Sequence, residues 1–176
     1  MLNRRQLRIK AMEVIYAFDK SIEKDIDHQL NYFLISNKNF YKLYISSLSL
    51  IREIYLLAIK LHSKNEKKFL KNSSDISLKK ICNNFIFKKI SFNQILLDKI
   101  ENLKINYWLD YPEHLNSIWR AIEDSDLMIN YSNDSKNTFD EDKSFVVKLF
   151  KKIIAPILSY MNFTRRWKYH GLMTIL

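Results

Sequence analysis

Three guanidinium groups open the chain, in Asn3-Arg4-Arg5-Gln6-Leu7-Arg8. Helical spacing continues from there through Leu7, Ala11, Val14, Ile15 and Phe18, an apolar stripe with Asn3 as a fair N-cap. Local stability does not account for the arginines, because a helix start carries the positive end of the backbone dipole and unpaired N–H groups, both of which favour anions. Beside such an end each guanidinium can fork onto phosphate oxygens, so Arg4, Arg5 and Arg8 suit a phosphate chain. Only seven of the 29 basic residues are arginines, yet three of those seven lie in the first eight positions, and no acidic residue precedes Glu13. Tyr16 falls away from the Leu7/Val14/Phe18 stripe, where a ring could stack on an unpaired base. The plainer readings are a solvated charged helix end and a solvent-edge tyrosine.

Other chemistry-bearing residues do not assemble into a catalytic pattern. His28, His62, His114 and His170 never form the i, i+4 pair with a glutamate that a helical zinc site requires. Asp124 with Asp126, and Asp140-Glu141-Asp142, sit in or beside expected loops and caps and read as solvated carboxylates. Cys82 is the sole cysteine, which rules out an internal disulfide and a Cys-based zinc site, and its sequence neighbourhood offers no base to make it a nucleophile. The sequence predicts no enzyme, no metal and no cofactor. Tyr32, Tyr41, Tyr44, Tyr55, Trp108 and Trp119 could also stack on bases, but most of these aromatics read as packing residues.

The elements that must position these groups are helical. One glycine and two prolines in 176 residues are too few for turn-rich β folds, Rossmann folds or P-loops, which need glycine where other residues clash. The fold class is therefore all-α, a helical bundle. After the first helix, Ser21–Asp27 reads as a turn, a short helix runs through Leu30, Phe33 and Leu34, and Asn37–Asn39 breaks it. Phe40 to about Phe69 is the strongest periodic element, with Leu43, Leu50, Ile54, Leu57 and Leu61 on one face and Leu48, Ile51 and Tyr55 widening it, as expected of the central helix of a bundle. Lys71–Asp75 is a loop by composition, and Ile76–Ile90 and Ser91–Ile105 are each read as a helix. Pro112 starts a further helix carrying Leu115, Ile118, Trp119 and Ile122. Ser132–Asp142 is polar, Thr138 with Glu141 resembles a capping box for a helix Phe145–Ala155, and Pro156 should stop that helix.

The net charge of +10 suits a polyanionic partner, although a chain this rich in Lys, Asn and Ile reflects A/T-rich codons in part. Charged residues interrupt every apolar window, including Leu43–Leu61 with Arg52, Glu53 and Lys60, so neither a secretory signal nor a membrane span is expected. The expected setting is soluble and cytoplasmic.

Arg4-Arg5-Gln6-Leu7-Arg8, then Ala11, then Val14-Ile15-Tyr16-Ala17, resembles the opening helix of the NusB family of bacterial transcription antitermination factors, in particular its longer Bacteroidetes-type members. Lys148–Pro156 continues the likeness more loosely. The resemblance implies an all-α NusB-like bundle without catalytic residues. It would bind the single-stranded boxA element of ribosomal RNA transcripts together with the ribosomal protein NusE. Arg4, Arg5 and Arg8 would hold phosphates, and Tyr16 would meet a base or sugar edge.

The likeness ends near Asn162. The run Phe163-Thr164-Arg165-Arg166-Trp167-Lys168-Tyr169-His170-Gly171 differs from what precedes it and carries the only glycine and the second adjacent arginine pair. The expectation is a NusB-like domain over 1–161 with its C-terminal part incomplete, and an atypical tail over 162–176 from a shifted frame or truncated gene. A methyltransferase carrying a NusB-like domain would need a glycine-rich cofactor loop, which is missing here. A helical adaptor that binds protein and no RNA is the alternative.

Overall fold

The computed structural model describes residues 4–22, 24–65, 73–134 and 138–161, and every regular element among them is helical. The expected N-cap Asn3 and the tail 162–176 lie outside the described residues. Two compact units divide the chain inside one continuous helix, between Tyr44 and Ile45.

The first unit holds α1 (Arg4–Lys20) and the opening half of α2 (Ile26–Asn65). Between them the expected turn is present. Ser21 Oγ (2.8 Å) and Lys24 Nζ (3.2 Å) both donate to the Phe18 carbonyl, so a hydroxyl and a cation satisfy the end of α1. Asp25 then caps α2, its carboxylate accepting the His28 N–H at 2.9 Å. The expected break at Asn37–Asn39 does not occur, and α2 runs unbroken for 40 residues. Asparagine costs a helix interior only a few tenths of a kcal/mol to about 0.7 kcal/mol, and there is no Gly or Pro in the stretch to force an end.

Ile45–Met161 forms the second unit. The second half of α2 is its central helix, burying Ile45, Leu50, Ile51, Ile54, Tyr55 and Ala58. Leu43, Leu48, Leu57 and Leu61 are half-buried, so the buried face is rotated slightly from the expected one. Ser46 and Ser49 are buried on it as well, and the buried Trp108 donates its indole N–H to the Ser46 carbonyl at 2.8 Å.

Caps set the remaining divisions. The span read as one helix over 76–90 is two, α3 (Ser73–Asn83) and α4 (Phe85–Ser91), and α3 begins inside the stretch read as a loop. Asn84 makes the division: its Oδ1 accepts the N–H groups of Ile86 and Phe87 at 2.9 and 3.0 Å. Asn93 likewise caps α5 (Gln94–Asn102), which therefore starts later than the Ser91 expected. That helix ends with Lys104 in the left-handed region at φ 51°, while Lys104 N–H bonds Glu101 O and Ile105 N–H bonds Ile100 O, each at 3.0 Å. This Schellman closure usually takes glycine at the left-handed position. A lysine stands there instead.

After the short α6 (Tyr107–Asp110), α7 (Pro112–Glu123) starts at its proline as expected and buries Ile118, Trp119 and Ile122. Ser125 caps α8 (Asp126–Asn133). The Thr138/Glu141 capping box is present, but it opens α9 at Phe139 and not at Phe145. Pro156 does not stop the chain's helical course. A π-helical turn, Phe150–Ile154, intervenes, closed by the Ala155 N–H on Phe150 O, and Pro156 falls in the first turn of α10 (Ala155–Tyr160). The wider turn moves the carbonyl that a proline ring would strike, and a first turn needs no N–H from the proline.

Candidate functional site

α1 has no buried residue. Of the expected buried stripe, Ala11, Val14 and Phe18 are half-buried, while Leu7 and Ile15 are exposed, so this stripe is not the core-facing surface the spacing predicted. Arg4, Arg5, Arg8 and Tyr16 are all exposed on α1.

Arg5, Arg8, Ile9, Met12, Glu13 and Tyr16 line one open groove of about 520 Å³. Their spacing of three and four residues places them on one helical face, roughly opposite Leu7, Val14 and Phe18. Arg4 lies one turn before Arg8, beside the groove and outside its lining. This shallow face thus carries exposed apolar Ile9 and Met12 in its middle, a phenol at one end and two guanidinium groups at the other. Glu13 is the one acidic residue among its described lining, and Lys10 Nζ holds that carboxylate at 2.6 Å, which offsets its charge locally. Lys20 Nζ stands 5.8 Å from the Tyr16 ring centre, adding positive charge at the aromatic end. Tyr16 shares this face with Arg5 and Arg8. Ile9 and Met12 were missed, although their i+4 and i+7 spacing from Arg5 made a second apolar strip legible.

A second polar constellation lies in the Ile45–Met161 unit. Asp142, read as a solvated cap residue, is buried. Its Oδ1 accepts the Tyr131 hydroxyl at 2.6 Å and its Oδ2 accepts the Phe85 N–H at 2.7 Å. Asn84 Nδ2 donates to the Tyr131 oxygen at 2.9 Å. Burial and then the hydrogen bond to Asp142 push the Tyr131 pKa well above the ordinary 10.0, against a smaller lowering by Asn84. A hydroxyl so firmly protonated, facing a carboxylate with both oxygens engaged, clamps α4 to α8 and α9; it is not arranged for proton transfer.

The other candidates stay bland. Cys82 is half-buried and forms no disulfide among the described residues. Asp124 closes α7 and Asp126 opens α8. Among the described residues, no group of three His, Cys, Asp or Glu side chains could hold a metal ion, and no helix is long and apolar enough to cross a membrane.

Protein-family models, curated proteins and solved structures were all compared with the chain, and none matches it.

Proposed function

We propose that this chain is an RNA-binding factor of the NusB kind, which takes boxA-like single-stranded RNA on α1 together with NusE and so acts in transcription antitermination. The observation that carries the reading is the α1 groove, where Arg5 and Arg8 stand on the same exposed face as Tyr16, with Arg4 one turn from Arg8. Single-stranded recognition needs this combination: cations for the phosphates and an aromatic or apolar surface for unstacked bases. Arginines in the first turns oppose the helix dipole, so their placement makes sense when an anion sits among them.

Fluorescence anisotropy with a boxA-like RNA tests this, comparing wild type with Arg4→Ala/Arg5→Ala/Arg8→Ala across a salt series, with and without NusE. The variant should lose affinity, and its salt slope should flatten by about 2, at about 0.7 per lost phosphate contact. Equal binding by both proteins would remove α1 as the site. Absence of binding by a wild-type chain that is helical by circular dichroism would favour the helical adaptor.

A further inference from the structure

α4 and α9 each begin with a phenylalanine, and the two rings meet. Phe85 and Phe139 stand edge to face, their centres 5.4 Å apart and their planes at 71°, yet they remain 51 % and 50 % exposed. Both are fixed at the backbone. Asp142 Oδ2 accepts the Phe85 N–H at 2.7 Å, and Phe139 follows directly on Thr138 of the capping box. Together with Lys80, Asn83 and Asp142 the two rings line a recess of about 460 Å³, a size within the range of about 300–1,000 Å³ for small-molecule sites. Lys80 Nζ stands 5.0 Å from the Tyr131 ring centre and Lys89 Nζ 5.9 Å from that of Phe85, so two ammonium groups accompany the rings. The Asp142 clamp needs Tyr131 and Asn84, but it gives no reason for two half-exposed rings beside a recess.

We propose that this recess binds a nucleotide, with the base on the corner made by Phe85 and Phe139 and the phosphate at Lys80 and Lys89. The lining selects that chemistry. Every base offers a π-face to an exposed ring, and its polar edge suits the exposed carboxamide of Asn83, which has one acceptor oxygen and two donor N–H groups. An aliphatic ligand would leave that carboxamide and both ammonium groups unmatched. Asp142 sets the orientation. Its two oxygens already accept the Tyr131 O–H and the Phe85 N–H, and its negative charge repels a phosphate. The base therefore takes the Asp142 end and the phosphate the lysines. Asp140 and Glu141 lie about 100° and 200° round α9 from Phe139, off the recess wall, and the Glu141 carboxylate accepts the Thr138 N–H at 3.2 Å. The nucleotide is either free or one residue of a single strand. Neither source involves α1, so this site stands or falls apart from the arginine face.

Titration of the full chain with adenosine monophosphate to about 10 mM, where millimolar sites fill, tests the inference through NMR amide shifts. Wild type should give saturable shifts around Asn83, Phe85 and Phe139. Phe139→Ala should weaken binding at least about fivefold, the low end for stacking on one ring, and Phe139→Tyr should keep it. Lys80→Gln/Lys89→Gln should weaken adenosine monophosphate about fivefold, for two exposed charge contacts, and leave adenosine binding unchanged. Absence of saturable shifts in wild type overturns the inference. So does undiminished binding by a folded Phe139→Ala, or equal affinity of wild type for adenosine and its monophosphate. If Phe139→Ala unfolds, the lysine variant and the adenosine comparison decide. A tetranucleotide of adenosine added to Arg4→Ala/Arg5→Ala/Arg8→Ala identifies the source: filling of the recess at lower concentration than by the monophosphate means a strand, and filling at no lower concentration means the free nucleotide.

Discussion

Asp142 joins three helices through one carboxylate, and its removal should be costly for a residue so close to a helix start. Asp142→Ala leaves the Phe85 N–H and the Tyr131 O–H without their acceptor, both in part-buried hydrogen bonds to a buried carboxylate. Hydrogen bonds to a charged group are worth about 1.5–3 kcal/mol each, so the pair sets an expected loss of about 3–4 kcal/mol. For a chain of this length that lowers the melting temperature by about 10 °C, at about 2–4 °C per kcal/mol. Tyr131→Phe removes one of the two bonds and should cost about 2 kcal/mol, with the stacking on Phe145 at 3.8 Å between ring centres preserved. Guanidinium unfolding followed by circular dichroism at neutral pH measures both. The Tyr131 pKa is raised in the fold, so its contribution is whole below the ordinary tyrosine value of 10.0 and is lost as pH rises above it. Wild type should therefore lose stability above pH 10 more steeply than Tyr131→Phe. A loss under about 1 kcal/mol for Asp142→Ala, within the range of an ordinary surface substitution, would refute the clamp.

Two further changes test the helix ends. Lys104→Gly should raise stability by up to about 1 kcal/mol, because a residue with a Cβ at φ 51° bears a cost that glycine does not; urea unfolding midpoints of the two proteins measure it. Thr138→Ala should cost about 1 kcal/mol and expose α9 to faster amide exchange at its first turn, since it removes one side of the capping box and leaves the Glu141 N–H without its acceptor; hydrogen exchange by NMR reads this directly.

The features legible in the sequence were those whose cause is local. Pro112 at the start of α7 and the Thr138/Glu141 box depend on residues within one turn, and both are present, although the helix that the box opens starts at Phe139. The divisions that were missed have distant causes. Asn84 splits α3 from α4 because its side chain caps the second helix while also reaching Tyr131, 47 positions away, and the Asp142 carbonyl, 58 positions away. Nothing within a window of the sequence announces those partners. The reading of Asp142 as solvated failed for the same reason, since its environment is made by Phe85 and Tyr131. Asn37–Asn39 looked like a break because asparagine favours turns, yet the apolar residues on either side keep helical spacing and outweigh the weak preferences of two asparagines. Pro156 was read by its usual effect, and the π-helical turn before it changes the geometry on which that effect depends.

The candidate site was legible in its charges and illegible in its surroundings. The arginines and Tyr16 could be placed on one helix from spacing alone. What spacing could not give is that the apolar stripe of the same helix is at most half-buried, because burial depends on what the rest of the chain puts opposite it. This matters for the proposed function. A helix of 17 residues with no buried side chain gains less from tertiary packing than a core helix does, and an isolated helix of about that length is marginal in water. Arg4, Arg5 and Arg8 weaken it further by facing the positive end of the dipole. A phosphate chain bound among them would reverse that repulsion and supply the missing stabilisation. On the proposed reading, RNA binding and the ordering of α1 are then one coupled equilibrium, and the arginines belong to the bound state more than to the free one.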